Sequence, residues 1–346
     1  MVGRDQLYVG VLAVLYILAS AGSTFFNKWL MDERRYPYSS ALAMGHMFFM
    51  TVCLTGTLGA QPTMFPALVQ FFQQSRSTVW PALKWLSLTG LILTAQLILS
   101  NMAFLETSLV LVQMMKEGSV VLVYLLSLAL GLEYFTVTKG VALLLVIIAT
   151  SMTMRGAVNF SEQGCLLQLS SQVMESFRIV LQAMVLSYHR FDPLSYNLIL
   201  APFCLMGLSA VQFVAVRTST GGLLQVPSAE TIWLWLPVLA VNAALFMALN
   251  IIMAAFIQRT SPLTIVLSGI IKDASIVLSG RYFMGDELTP MQEIGFLLQL
   301  GLIFAWYQIQ AFDSEEKLKQ SAEVERIGPE KPKYGATSLP AAQEDA

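Results

Sequence analysis

The chain consists largely of long apolar segments that follow one another from near its first residue to about residue 311. A helix needs about 20 mostly apolar residues to cross the roughly 30 Å hydrocarbon core of a bilayer. Ten segments meet this rule, with approximate bounds 7–28, 38–59, 84–105, 108–130, 137–155, 163–187, 194–216, 231–257, 261–283 and 289–311. The sequence therefore predicts an all-α integral membrane protein with ten transmembrane helices.

The composition agrees with a membrane location and argues against nucleic-acid binding and catalysis. Charged residues make up 12% of the 346 residues, whereas a soluble domain has about a quarter. The low content of charged residues indicates that the protein is surrounded by membrane lipid. Because the net charge is only −2, we expect no nucleic-acid partner. The chain has two histidines, His46 and His189, and lacks the common catalytic, metal-binding and phosphate-cradling motifs. We therefore expect no cofactor, no metal site and no enzyme.

The ends of the chain differ from the apolar body. Residues 313–346 hold 13 of the 42 charged residues and almost no large apolar ones, which predicts a disordered tail after a transporter domain spanning 1–312. The start, MVGRDQ, is too short for a transit peptide, so the first helix is expected to remain. Lys and Arg are balanced between the two sides of the membrane. Only the tail lysines Lys317 and Lys319 place both termini in the cytosol.

An internal repeat divides the body into two halves. Residues 116–122 read KEGSVVL and residues 272–278 read KDASIVL, 156 positions apart. Adding 156 to the first segment gives 163–184, which is the sixth segment. The halves, about 7–155 and 163–311, thus contain five spans each. Because five is odd, the second half must enter the membrane from the opposite face, which predicts an inverted repeat with a site between the halves.

Six charged residues lie well inside the predicted spans, away from their ends: Lys116, Glu117, Glu175, Arg178, Lys272 and Asp273. Such residues are costly in lipid and usually face a cavity or a partner. Glu175 and Arg178 are three positions apart, so they share a helix face and can form a structural ion pair. Neighbouring side chains on a helix point about 100° apart, so we expect neither lysine to pair with the acid directly beside it.

The repeat suggests a partner for the two lysines. Lys116 and Lys272 occupy equivalent positions, so the predicted two-fold axis would bring both to a central cavity, where two ammonium groups suit a phosphate or diphosphate. Glu117 and Asp273 would orient them or balance their charge. The alternative is that each lysine pairs with an acid on a neighbouring helix.

Amide side chains offer further contacts with a substrate. Gln113 lies on the face of Lys116, and Asn250 shares a face of its span with Asn242. Amides suit the hydroxyls of a sugar or the edge of a base, but they also join transmembrane helices. The same two uses apply to Asn27, Gln96 and Asn101, whereas His46 is expected to make a hydrogen-bonded helix contact.

The sequence resembles the triose-phosphate and nucleotide-sugar translocators of the drug/metabolite transporter superfamily over roughly residues 8–310. The resemblance rests on FNKWLM (26–31), VQMMK (112–116), TSPLT (260–264), GIIKD (269–273) and the residues Gly156, Phe160, Gly164, Gln168, Glu175 and Arg178. It implies a ten-helix antiporter of phosphorylated sugar compounds that works by alternating access. Its phosphate-binding lysines correspond to Lys116 and Lys272.

One departure from the family affects the expected substrate. In the plastid sugar-phosphate branch a basic residue follows the ninth-helix lysine, whereas Asp273 stands here. Together with the missing transit peptide, this favours a Golgi or other endomembrane carrier that exchanges a nucleotide sugar for a nucleoside monophosphate. The alternatives are a plastid-type sugar-phosphate or phosphoenolpyruvate:phosphate translocator and, from other classes, a membrane enzyme or a non-transporting scaffold. A homodimer is a further open alternative.

Overall fold

The computed structural model describes residues 2–327 apart from 33, 74–75, 157–160, 218–225, 261 and 285–287. The described residues form α-helices and one short 3₁₀ turn at Pro62–Met64. The helices are Val2–Leu30 (α1), Ser39–Ala60 (α2), Pro66–Gln73 (α3), Arg76–Glu106 (α4), Leu109–Lys116 (α5), Ser119–Ala129 (α6), Val137–Arg155 (α7), Glu162–His189 (α8), Pro193–Arg217 (α9), Ala229–Arg259 (α10), Pro262–Met284 (α11) and Pro290–Ile327 (α12).

The helix starts follow local sequence signals. The side chains of Ser108, Thr136, Ser161 and Ser228 accept hydrogen bonds from backbone N–H groups in the first turns of α5, α7, α8 and α10. Proline, which lacks the N–H that a first turn leaves unpaired, is the first residue of α3, α9, α11 and α12. These signals explain why most predicted bounds lie within a few residues of the observed ones.

The surface of the protein is apolar, as a membrane requires. In the described part of the chain, eight helical stretches are long and apolar enough to span a bilayer. Large apolar side chains such as Trp233 and Leu297 are exposed, whereas Gln168, Asn242 and Gln299 are fully buried. The chain is therefore a multi-pass membrane protein. Helices α8 and α11, which carry Glu175, Arg178, Lys272 and Asp273, are not among the eight stretches found in the described residues.

The fourth predicted span differs from expectation because it is not one helix. Helix α5 ends at Lys116, a turn follows at Glu117 and Gly118, and α6 begins at Ser119. A side chain on Gly118 would lie 3.2 Å from the carbonyl oxygen of Met115 and 3.3 Å from the hydroxyl of Thr150 on α7. The helix is thus interrupted directly beside two of the predicted site residues.

The helices pack in matching pairs. Helix α4 packs along α8, as α10 packs along α1, and α4 contacts α9, as α10 contacts α2. Helix α1 contacts α11, as α8 contacts α6. The remaining large contacts, α2 with α9 and α7 with α12, join helices at the same place in each half. The list of contacting pairs is therefore nearly unchanged when the two halves are exchanged.

The end of α12 also differs from expectation. The helix continues to Ile327, so residues 313–327 are helical, although disorder was predicted from residue 313. Glu, Lys, Gln and Ala dominate this stretch and have high intrinsic helix propensity, so it can extend a preceding helix without burying apolar surface. Residues 328–346, the rest of the predicted tail, lie outside the described residues.

A buried ion pair joins α12 to α7 at this end of the protein. The Lys139 side chain is 1% exposed and its ammonium lies 3.0 Å from a carboxylate oxygen of Asp313 and 4.0 Å from one of Glu133. Nothing in the local sequence marks it as buried, because its partner Asp313 lies far away along the chain.

Helices α7 and α12 approach each other closely at Gly295. A Cβ atom there would lie 2.7 Å from the Thr153 hydroxyl oxygen and 2.9 Å from its backbone nitrogen. We expect Gly295→Ala to destabilise the protein by about 1–3 kcal/mol through overpacking, measured as a lower midpoint of thermal unfolding in detergent. The control is Gly301→Ala on the same helix, where no atom lies within 4 Å. It should be neutral or slightly stabilising, and equal losses in both variants would contradict the close approach.

Candidate functional site

A small polar cavity lies where α1, the α5–α6 turn, α8 and α11 meet. Its volume is about 60 Å³, and its charged lining residues are Lys116, Glu117, Glu175, Lys272 and Asp273. The structure thus brings together both predicted lysines, one from each half of the chain, with three predicted acids. Uncharged residues complete the wall: Tyr16, Ser119, Ile179, Gly269 and Ile270.

Lys272 pairs with its own neighbour, contrary to expectation. Its ammonium lies 2.9 Å from a carboxylate oxygen of Asp273, and both side chains are largely buried. The expectation considered only the direction in which each side chain leaves the helix. The flexible four-carbon stem of lysine can curve back to the adjacent carboxylate. In the cavity as it stands, most of the charge of Lys272 is therefore balanced.

Lys116 has a different environment. It is the last residue of α5, and its side chain is half-buried. No ion-pair partner for Lys116 is found among the described residues. The carbonyl end of a helix favours a positive charge, but the ammonium keeps its capacity to bind an anion. Lys116 is thus the cavity cation that is available to a ligand.

Glu117 is the most deeply buried charged group of the cavity. It is 1% exposed, and both carboxylate oxygens lack a hydrogen-bond partner in the described part of the chain. Burying an ionised carboxylate without such partners is strongly unfavourable. The sequence marked Glu117 as a supporting charge, but its isolation depends on the surrounding helices.

The predicted pairing of Glu175 with Arg178 is present at 3.9 Å. The guanidinium makes shorter contacts elsewhere, since its Nε donates to Gln96 Oε1 at 2.9 Å and its Nη1 donates to Gln182 Oε1 at 3.2 Å. The hydrogen bond to Gln96 directs the guanidinium toward α4, and the bond to Gln182 on α8 holds it in that position. Glu175 lines the cavity and Arg178 does not.

Neither predicted amide ligand lines the cavity. Gln113 is 2% exposed, and its side-chain oxygen has no hydrogen-bond partner in the part of the chain that the structure describes. The Asn250 amide donates to the carbonyl oxygen of Phe246 in its own helix at 2.9 Å. Both side chains serve helix packing in this conformation, so a contact with substrate would require the helices to move.

The other polar residues of the spans also join helices. Asn242 on α10 donates to the side-chain oxygen of Asn27 on α1 at 2.8 Å and bonds to the His46 ring on α2. The expected role of His46 as a helix contact is thus confirmed. The side chain of Asn101 lies outside the described residues.

Sequence reasoning missed Tyr16, which lines the cavity from α1 and is 8% exposed. Its position alone, in the middle of an apolar segment, did not distinguish it from a packing aromatic. The repeat offered a signal for a polar role of this position. Adding the repeat separation of 156 to residue 16 gives Gln172 in the second half, a polar residue that is also buried.

Comparison with known proteins shows which proteins the chain is similar to. No family model matches the chain. A probable sugar phosphate/phosphate translocator of Arabidopsis thaliana is 24% identical over 328 residues, which cover 92% of this chain and 89% of the relative. A second from the same plant is 25% identical over 305 residues, with 86% of each chain covered. The predicted family resemblance is confirmed. The chain is similar to translocators along most of its length.

A solved structure supports the fold independently. A protein known from its crystal structure superposes with a TM-score of 0.55 and 16% sequence identity, covering 89% of this chain and 99% of its own. This likeness shows that the arrangement of helices is one found in nature. It carries no information on substrate.

Proposed function

We propose that the protein is an antiporter that exchanges a phosphorylated sugar compound for phosphate. The observation that carries the proposal is the cavity itself, where Lys116, without an ion pair among the described residues, lies with Lys272 of the other half. Two ammonium groups in a membrane interior suit an anion with at least two negative charges. The relatives support the reaction, since they are named for translocation of sugar phosphate and phosphate and not for catalysis.

The proposed mechanism is alternating access by two inverted five-helix repeats, about 7–155 and 163–311. The matching pairs of contacting helices support this arrangement. The interruption between α5 and α6 also fits, because transporters of this type commonly bind substrates at broken helices. A cavity of about 60 Å³ holds about two waters and no sugar phosphate. One half must therefore rock against the other to admit the ligand from either side.

The charged residues other than Glu117 have the following roles in this mechanism. Lys116 and Lys272 would bind the phosphate oxygens, and Asp273 would neutralise Lys272 while the site is empty. Glu175 and Arg178 would support the charge balance, with Arg178 held by Gln96 and Gln182. Gln113 and Asn250 would reach the ligand only in a more open conformation.

A nucleotide sugar exchanged for a nucleoside monophosphate is the second candidate. The ion pair between Asp273 and Lys272 favours it, because that pair reduces the positive charge available to a small sugar phosphate. This candidate places the protein in the Golgi or another endomembrane with both termini in the cytosol. The names of the relatives favour a small sugar phosphate as the substrate. We therefore propose exchange of a sugar phosphate for phosphate as the first candidate function.

The direct test is exchange by purified protein in liposomes. We expect labelled triose phosphate or another small sugar phosphate to enter liposomes preloaded with phosphate and not liposomes without it. The same assay uses UDP-, GDP- and CMP-sugars against preloaded nucleoside monophosphates, and uptake there alone would establish the second candidate. Absence of exchange with every pair would contradict the proposed function.

A further inference from the structure

We propose that Glu117 is a proton-binding site and that the anion binds while Glu117 holds a proton. The inference rests on the proposed function, because it concerns the same cavity. It assigns to this carboxyl group a control of anion affinity by pH. The proton comes from the aqueous solution and returns to it.

The first argument is the isolation of the carboxyl group. Glu117 is 1% exposed, and neither of its oxygens accepts a hydrogen bond within the described residues. An ionised carboxylate in such a place has lost its hydration without compensation, whereas a protonated carboxyl group avoids most of that cost. The geometry alone therefore favours the neutral acid in the empty carrier.

The second argument is the balance of charge in the cavity. If every lining group were ionised, Glu117, Glu175 and Asp273 would outnumber Lys116 and Lys272 by one negative charge. A proton on Glu117 makes the lining neutral. A phosphate that enters next would meet one carboxylate fewer, so proton binding and anion binding support each other through reduced repulsion.

The other titratable groups near this site have different environments. On α11, Asp273 is paired with Lys272. On α8, Glu175 lies 3.9 Å from Arg178. From α1, the titratable group that lines the cavity among the described side chains is the hydroxyl of Tyr16.

Among the described side chains, the remaining helices that pack against α5 and α6 bring no further charge to the cavity. On α7, Lys139 is bound to Asp313 and Arg155 is exposed. On α4, Glu106 and Lys84 are exposed. Glu117 is thus the cavity carboxylate without a partner in the described structure.

The sign of the effect follows from linkage. The anion prefers the protonated form of Glu117, so affinity is highest when Glu117 is protonated and falls as pH rises through its titration, by at most about tenfold per pH unit. The same proton can accompany the anion in both directions of an exchange. The informative quantity is therefore the apparent affinity as a function of pH.

The test compares wild type with Glu117→Gln, which removes the titration and keeps the shape of the side chain. Labelled inorganic phosphate exchanges into phosphate-loaded liposomes at equal internal and external pH from about 6 to 9. Phosphate itself changes its charge over this pH range, but this change affects wild type and all variants equally and cancels in the comparison. We expect the affinity of wild type to fall relative to that of Glu117→Gln by about tenfold or more. Glu230→Gln, an exposed glutamate at the start of α10, should follow wild type.

A second readout does not depend on transport. Infrared spectra of the substrate-free wild type in detergent should show the absorption of a protonated carboxyl group, and this absorption should be lost as that group gives up its proton. This band should be missing in Glu117→Gln and present in Glu230→Gln. Identical carboxyl bands in all three proteins, or parallel pH profiles of exchange in wild type and Glu117→Gln, would overturn the inference. The Glu117 band without phosphate exchange in any protein would instead overturn the proposed function.

Discussion

Lys116→Ala is expected to abolish most of the exchange activity while leaving the stability of the protein nearly unchanged. The ammonium has no ion-pair partner among the described residues, so its removal strands no buried carboxylate. A charge-assisted hydrogen bond to phosphate contributes about 1.5–3 kcal/mol, which corresponds to a loss of roughly 10- to 150-fold in apparent affinity. Uptake of labelled sugar phosphate into phosphate-loaded liposomes measures the effect.

The controls for this prediction separate charge from expression and folding. Lys84→Ala removes an exposed lysine on α4 and should retain exchange. Lys116→Arg keeps the positive charge but replaces the ammonium by a planar guanidinium, and it should retain part of the exchange activity. Wild-type affinity in Lys116→Ala would exclude this residue from the binding site.

Lys272→Ala is expected to have two effects, loss of exchange and loss of stability. Its partner Asp273 lies 2.9 Å away with a side chain that is 10% exposed. Removal of the lysine leaves a nearly buried carboxylate uncompensated, and breaking such a pair costs about 3–5 kcal/mol. Thermal or chemical unfolding of the purified protein in detergent measures the destabilisation.

The double variant Lys272→Ala with Asp273→Ala distinguishes the two effects. With both charges removed, most of the lost stability should return, because no unpaired group remains. Exchange should stay low, since the second phosphate-binding cation is still absent. A stable double variant with wild-type exchange would remove Lys272 from the binding site, and a fully stable single variant would show that the ion pair does not stabilise the fold.

Several features of the fold could be predicted from local sequence because they depend on local physical causes. Apolar segments of about 20 residues must be helical in a bilayer, where every backbone group has to be paired within the chain. The helix starts at Ser108, Ser161 and Ser228 follow from side chains that cap the first turn. The repeat likewise indicated that Lys116 and Lys272 occupy equivalent places, and the structure brings both to one cavity.

The partners of the polar side chains could not be predicted in this way. Arg178 shares a helix face with Glu175, yet its closest contacts include Gln96 on another helix. Asn242 had equal sequence grounds for facing a ligand, but it bonds to Asn27 and His46. A hydrogen bond between helices depends on how the helices rotate and approach, and no local sequence pattern encodes that distance.

By itself, the sequence determined the helical membrane fold and the identity of the charged residues, and it predicted a division into two related halves. These follow from segment length, hydropathy and the repeat. Only the tertiary structure decided that Lys272 balances Asp273, that Lys116 has no such partner in the described chain and that Glu117 is buried without a hydrogen bond. The reason is physical. The state of a charge inside a membrane protein depends on what surrounds it within a few ångströms, and packing between distant segments supplies those surroundings.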